Sequence, residues 1–189
     1  MNNLIGAGPS YRYSFSSSSL PPLMSQLKSD VSWERESLTM FGREVLVPRK
    51  VAFIADHGIC YRYSGKDHNG FGWPDWLLPI KQEAEQLAGQ SFNAVLLNWY
   101  QDGEEYMGWH ADDEKILGPA PVVAMLSLGA NRPFLFRLKG NHQIKHCIEL
   151  ENGSWLIMSA STQVLWQHSL PVRKRIKEER MSLTFRLLF

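Results

Sequence analysis

Cysteine is scarce in this chain: only Cys60 and Cys147 occur among 189 residues, far apart in sequence. No disulfide framework can hold such a chain together, and a reducing cell interior is the expected setting. Long hydrophobic runs are also missing. No stretch approaches the ~18–20 apolar residues of a membrane span, and Met1 to Ala7 lacks the basic start and apolar core of a secretory signal. A soluble intracellular protein without a membrane partner is therefore expected, cytoplasmic if bacterial and nuclear if eukaryotic. Excess charge of one sign is absent as well. The 20 Lys and Arg nearly cancel the 19 Asp and Glu, so bulk charge neither demands nor forbids a nucleic-acid partner, and only local patches can speak to it. No internal repeat is visible.

What is present is material for a core. Hydrophobic residues make up 44% and aromatic residues 12% of the chain, which excludes wholesale disorder and a collagenous fibre. The length suits a single domain, here expected to work as a monomer. Residues 1–19 end in Ser16-Ser17-Ser18-Ser19, show no periodicity and are read as a flexible tail; residues 20–189 form the domain. After Pro21-Pro22, Leu23, Met24, Leu27 and Val31 have helical spacing, and Trp76, Leu77, Ile80, Ala84, Leu87 and Ala88 repeat it up to Gly89. Strands are expected at Val51–Ala55, Ala94–Tyr100, Val122–Leu128, Phe134–Leu138, Ile144–Leu150, Ser154–Met158 and Ser182–Phe189. Short strands in series behind two helices predict a mainly β fold with flanking helices (α+β): a jelly-roll, or double-stranded β-helix, with the helices buttressing one face.

Three constellations carry chemistry. In Trp109-His110-Ala111-Asp112-Asp113, residues i and i+2 of an extended segment point the same way, so His110 and Asp112 can chelate one metal, and His168 of Gln167-His168-Ser169 can complete the set. Two imidazoles and one carboxylate make the facial triad of non-haem Fe(II) oxygenases, which leaves positions open for a co-substrate and oxygen. Spacing alone does not decide the matter, because six His and seven Asp in 189 positions yield about 0.2 such pairs by chance. The alternative is a surface loop of hydrogen-bonded polar residues. In Arg180-Met181-Ser182-Leu183-Thr184-Phe185-Arg186 the apolar residues alternate with Arg180, Ser182, Thr184 and Arg186. Two arginines on an inward face require an anion such as a small dicarboxylate; on an outward face they are ordinary surface pairs. Finally, Asn98-Trp99-Tyr100 sets an amide beside a phenol, both able to hydrogen-bond a carboxylate.

Taken together and in this order, the three motifs resemble the AlkB-like family of Fe(II)- and 2-oxoglutarate-dependent dioxygenases, over roughly Ser32 to Phe189. The resemblance implies that His110, Asp112 and His168 bind iron, that Asn98, Tyr100, Arg180 and Arg186 hold 2-oxoglutarate, and that O2 is the oxidant. No catalytic residue beyond the metal centre is implied. One departure is visible, since Ser182 stands where the family's terminal motif usually has Asn, and it is left out of the co-substrate set. Further stretches resemble the subgroup that repairs duplex DNA. Met40-Phe41-Gly42 with Val47-Pro48-Arg49-Lys50 is similar to that subgroup's finger hairpin (near 38–50), with Phe41 at its tip. Tyr61-Arg62-Tyr63-Ser64-Gly65 is similar to its base pocket, in which Tyr61, Tyr63 and Ser64 would face the base. Asp113 and Glu114 match its acidic pair.

Local charge agrees with these assignments. Arg43, Arg49, Lys50, Arg62 and Lys66 cluster around the expected finger and pocket, and Arg173, Lys174, Arg175 and Lys177 form a second basic run, so either patch can neutralise phosphates. The resemblance thus implies oxidative demethylation of bases such as 1-methyladenine and 3-methylcytosine in DNA, most naturally duplex DNA. The alternatives are the same chemistry on RNA or single-stranded DNA, a non-catalytic module binding alkylated bases, and a Zn(II) hydrolase, which leaves the paired arginines unexplained.

Overall fold

The computed structural model describes residues 8–18, 20–40, 43–63 and 66–189. In chain order these form β1 (Tyr11–Phe15), α1 (Leu20–Asp30), β2 (Ser37–Met40), β3 (Arg43–Leu46), β4 (Lys50–Ala55), β5 (Cys60–Tyr63), β6 (Lys66–Asn69), α2 (Leu78–Ala88), β7 (Ala94–Tyr100) and β8 (Met107–His110). There follow β9 (Val123–Gly129), β10 (Arg132–Leu138), β11 (Asn141–Leu150), β12 (Ser154–Met158), α3 (Ala160–Leu165), β13 (Trp166–Leu170) and β14 (Arg180–Arg186). A six-stranded antiparallel sheet, ordered β1-β12-β9-β14-β7-β4, faces a four-stranded one, ordered β11-β10-β13-β8. Two hairpins, β2–β3 and β5–β6, stand outside both sheets. This is the expected jelly-roll arrangement of two packed sheets.

The central strands of the larger sheet are buried on both faces, and alternation sorts their side chains into two layers. On β9, Ala124, Leu126 and Leu128 join Leu23 and Leu27 of α1 and Ile80 and Ala84 of α2. Val123 and Met125 point the other way, into a second cluster with Phe134, Phe136, Leu156, Met158 and Leu170 between the sheets. The same period-2 rule on β14 sends Met181, Leu183 and Phe185 to the helix side, leaving Arg180, Ser182, Thr184 and Arg186 for the space between the sheets. Helix α2 ends where the sequence indicates: Gly89 adopts φ 72°, and its N–H donates to the Glu85 carbonyl.

Two expectations need correction. The segment read as a flexible tail contains β1, paired along β12 from Tyr11↔Met158 to Phe15↔Ser154. Its Tyr-Arg-Tyr-Ser-Phe alternation is a strand pattern, with Tyr11 stacked on Phe136 and Tyr13 packed on the inter-sheet cluster. The serines that follow are anchored too, since Ser16, Ser17 and Ser18 all donate to the Glu83 carboxylate of α2. Second, the hairpin expected near 38–50 comprises Ser37–Met40 paired with Arg43–Leu46, and Lys50 belongs to β4 of the large sheet. Phe41 and Ser64 lie outside the described residues. Of Tyr63, only its place in β5 is described.

Candidate metal and co-substrate site

Strands β8 and β13 are neighbours in the smaller sheet with His110 and His168 in register, so pairing alone brings the two imidazoles together. Their Nε2 atoms face each other at 3.1 Å. Asp112, two residues past the end of β8, places Oδ2 3.7 Å from His168 Nε2, and one ligand atom from each residue lies within 4.8 Å of the others. The His110 ring is fixed from behind. A carbonyl can only accept, so the 2.9 Å contact between His110 Nδ1 and Gly108 O puts the proton on Nδ1 and leaves the Nε2 lone pair facing its partners.

These residues fit a divalent metal. The buried Asp112 Oδ2 has no hydrogen-bond partner among the described residues, and two imidazoles plus one carboxylate form the donor set of open, non-haem iron sites. Burial and the facing His110 push His168 down to about 3, so it is neutral, as a ligand must be. Burial by itself would raise the Asp112 carboxyl. The Arg186 guanidinium and both imidazoles outweigh it and hold Asp112 below the usual carboxylate range.

Across the inter-sheet space, β7 and β14 pair so that Asn98 lies beside Ser182 and Tyr100 beside Arg180. All four line one cavity, together with the metal triad, Arg186 and an apolar wall of Leu96, Met125, Phe134, Met158 and Leu170. The arginines are therefore inward, at 1% and 5% exposure, and the surface-pair alternative fails. Arg180 Nη2 donates to Ser127 Oγ at 2.9 Å, its guanidinium lies 5.4 Å from the Tyr100 ring centre, and its Nε has no hydrogen-bond partner among the described residues. Burial pushes Arg180 down to about 10, which leaves it a cation at neutral pH. Arg186 Nη2 donates to Asp112 Oδ1 at 2.6 Å. Burial would lower Arg186, yet the facing carboxylate drives it above the ordinary arginine range. A cavity with two buried guanidiniums, an amide and a phenol on one side and a metal triad on the other suits a small dicarboxylate that also reaches the metal.

The residues expected to meet nucleic acid divide into separate groups. Tyr61 is buried, and its hydroxyl donates to Glu114 Oε1 at 3.2 Å, so these two meet as a pair beside the triad. Burial raises the Tyr61 hydroxyl above its ordinary range. Asp113 is exposed and salt-bridged to Lys139 at 2.7 Å. Lys50 Nζ lies 4.5 Å over the Trp99 ring. Arg49 corrects the sequence reading: it is buried, and Nε donates to Asn98 Oδ1 at 2.6 Å, so it supports the cavity wall instead of an outer phosphate-binding patch. With its oxygen engaged in this way, Asn98 keeps its NH2 group for a ligand.

Three supporting residues escaped the sequence reading. Gln163 of α3 accepts the Asp112 N–H. Ser127 carries Arg180. Arg132 donates to the carbonyls of Asp102, Glu105 and Pro171, which ties the loop before β8 to the chain after β13 and so fixes both histidine strands. Only a pairing register could have revealed them, because none belongs to a local motif.

Comparison with known proteins agrees with this geometry. Residues 10–186 match the 2OG-Fe(II) oxygenase superfamily. The chain is 36% identical to the DNA oxidative demethylase ALKBH2 of Homo sapiens, over 96% of this chain and 73% of that protein. Identity to the ALKBH2 of Arabidopsis thaliana is 33%, over 86% of this chain but only 60% of that longer protein. The solved structure of OsALKBH1 superposes with a TM-score of 0.58 at 15% identity, covering 96% of this chain and 98% of the other, a likeness of fold alone. The chain accordingly belongs to the AlkB-like branch of the 2OG-Fe(II) oxygenase superfamily, with Fe(II), 2-oxoglutarate and O2 as its cofactors.

Proposed function

We propose that this chain removes N-methyl groups from alkylated bases in DNA, such as 1-methyladenine and 3-methylcytosine, working as a monomer on bases flipped from a duplex. The observation that carries the reading is the joint arrangement of His110, Asp112 and His168 with two buried arginines around one cavity. When bound, Fe(II) with 2-oxoglutarate and O2 supplies the oxidising power that turns N-methyl into N-hydroxymethyl, which leaves as formaldehyde.

The chain's own residues do the positioning. His110, Asp112 and His168 are the ligands. Arg180 and Arg186 offer charge-assisted donors to the two carboxylates, and Asn98 and Tyr100 add neutral ones. The apolar wall keeps water from competing at these contacts. Tyr61 and Glu114 face the base edge, with Tyr63 on the same hairpin and Ser64 next to it in sequence. The hairpin β2–β3 and the basic residues Lys50, Arg62 and Lys66 meet the duplex around it. Opening a base pair costs a few kcal/mol, least at a damaged pair, which favours alkylated sites.

The test is anaerobic loading with Fe(II) and 2-oxoglutarate, then oxygen and a panel of methylated oligonucleotides in DNA and RNA, with mass spectrometry of the bases. Restored adenine and cytosine with matching succinate and formaldehyde is the expected result. Unchanged DNA alongside restored RNA would move the substrate to the RNA alternative.

A further inference from the structure

Glu36 is a carboxylate with only 2% of its surface exposed, outside the cavity described above. Its Oε1 lies 3.2 Å from His68 Nε2, and its Oε2 has no hydrogen-bond partner among the described residues. A carboxylate is retained out of water only where something meets it, so His68 is what holds Glu36 in place. Both residues sit at structural junctions. Glu36 is the last residue before β2, and its carbonyl accepts the Val47 N–H at 2.7 Å, closing the base of hairpin β2–β3. His68 lies on β6, in the other hairpin, with its ring 5.7 Å from Phe53 of β4. Phe53 in turn lies 5.8 Å from Tyr61 of β5. A continuous run of contacts therefore leads from the base of one hairpin to the pocket wall in the other.

A second link runs parallel to it. Glu34 is fixed to Val51 by two backbone bonds, and its carboxylate lies 3.6 Å from Lys66 Nζ. Those side chains are 69% and 48% exposed, so that pair contributes little, and the junction rests on Glu36 and His68.

We propose that Glu36 and His68 are positioning residues that lock hairpin β2–β3 to hairpin β5–β6 and thereby confer competence on duplex substrates. The inference rests on the demethylase reading above. A single-stranded base engages the pocket alone, whereas a duplex engages the pocket and β2–β3 at once, so the relative placement of the two hairpins matters only for the duplex. Neither residue touches the metal triad or the co-substrate cavity.

The experiment compares wild type, Glu36→Ala, His68→Ala, the double variant and Glu36→Gln. Kinetics are measured on one 3-methylcytosine oligonucleotide, alone and annealed, and amide hydrogen exchange is followed on the substrate-free protein. Each alanine variant should raise the duplex KM about tenfold while leaving kcat and the single-strand KM within about twofold, and the double variant should be no worse than either single one. Glu36→Gln keeps the length of the side chain and an oxygen to face His68 Nε2, and should restore the duplex KM. Exchange should rise in Ser37–Met40 and Cys60–Tyr63 together in the alanine variants. Equal losses on both substrates, additive losses in the double variant, or exchange confined to one hairpin would overturn the proposal. Should wild type leave both oligonucleotides methylated, the demethylase reading falls, and the coupled exchange alone then decides the junction.

Discussion

Arg186 Nη2 and Asp112 Oδ1 are 2.6 Å apart, both buried, so a single ion pair joins the arginine-bearing wall of the cavity to the His110–Asp112–His168 cluster. The partners are 74 residues apart in sequence and meet only because β14 and the segment after β8 face each other across the two sheets. A pair this buried is costly to break, because the survivor keeps its charge without compensation. Arg186→Gln should therefore lower the stability of the metal-free protein by ~3–5 kcal/mol, a fall of roughly 6–20 °C in Tm. The contribution has a definite pH window. Asp112 is held below its ordinary range, so the stabilisation is complete above the unfolded-state value of ~3.9 and fades as pH falls below it. Urea titration at neutral pH checks the magnitude; a loss under ~1 kcal/mol would mean that water reaches the pair.

Asp112→Ala removes the only carboxylate of the triad. Two imidazoles in register on β8 and β13 remain, and they hold a divalent metal poorly without the third ligand. Since disturbing even the supporting partners of a ligand costs ~10–100-fold, loss of the ligand itself should lower metal affinity by more than ~100-fold. Dialysis against limiting iron followed by metal analysis reads this directly. Near-normal retention of iron would return His110 and Asp112 to an ordinary hydrogen-bonded loop.

Much of this site was legible from period-2 alternation. Met181, Leu183 and Phe185 against Arg180, Ser182, Thr184 and Arg186 is a pattern that only a strand with two different faces explains, and β14 has those faces. The same holds for Asn98 and Tyr100 on β7. What escaped the sequence is whatever depends on register between distant strands: Ser127 under Arg180, Gln163 behind Asp112, and the inward course of Arg49. Arg49 looked like a phosphate ligand because it adjoins Lys50 in a basic cluster. Pro48 and Arg49 form a bend in which the Arg49 N–H donates to the Val47 carbonyl at 2.8 Å, and Arg49 goes inward there while Lys50, the first residue of β4, lies over Trp99. The strand at Tyr11–Phe15 was hidden because five alternating residues beside a serine run carry too little signal to outweigh their composition.

Arg180→Lys keeps the charge at a position where geometry matters. The guanidinium donates Nη2 to Ser127 and has further N–H groups for a carboxylate, whereas an ammonium offers one point charge at the end of a shorter fork. Loss of one charge-assisted hydrogen bond, ~1.5–3 kcal/mol, should weaken 2-oxoglutarate binding by roughly 10- to 150-fold. Calorimetric titration with 2-oxoglutarate, using a redox-inert divalent metal, separates this from turnover. An unchanged affinity would remove Arg180 from the co-substrate assignment.

Phe41 offers the sharpest test of the duplex reading. The strands on either side of it, β2 and β3, pair from Ser37↔Leu46 to Met40↔Arg43, and the proposed action on duplex DNA makes Phe41 the candidate wedge. A ring that enters the gap left by a flipped base replaces lost stacking, as apolar wedges do at other distorted duplexes. Its value must then depend on the substrate. Single-stranded DNA has no stack to mend, so Phe41→Ala should cost little there, while on duplex it should forfeit ~1–3 kcal/mol, a drop in kcat/KM of roughly 5- to 150-fold. Tyr63→Ala should differ, impairing both substrates, because a ring stacked on the flipped base is needed however that base arrives. Matched kinetics on one 3-methylcytosine oligonucleotide, alone and annealed, separate the two roles. Equal losses on both forms for Phe41→Ala would make Phe41 a pocket or core residue and leave the duplex preference without its wedge.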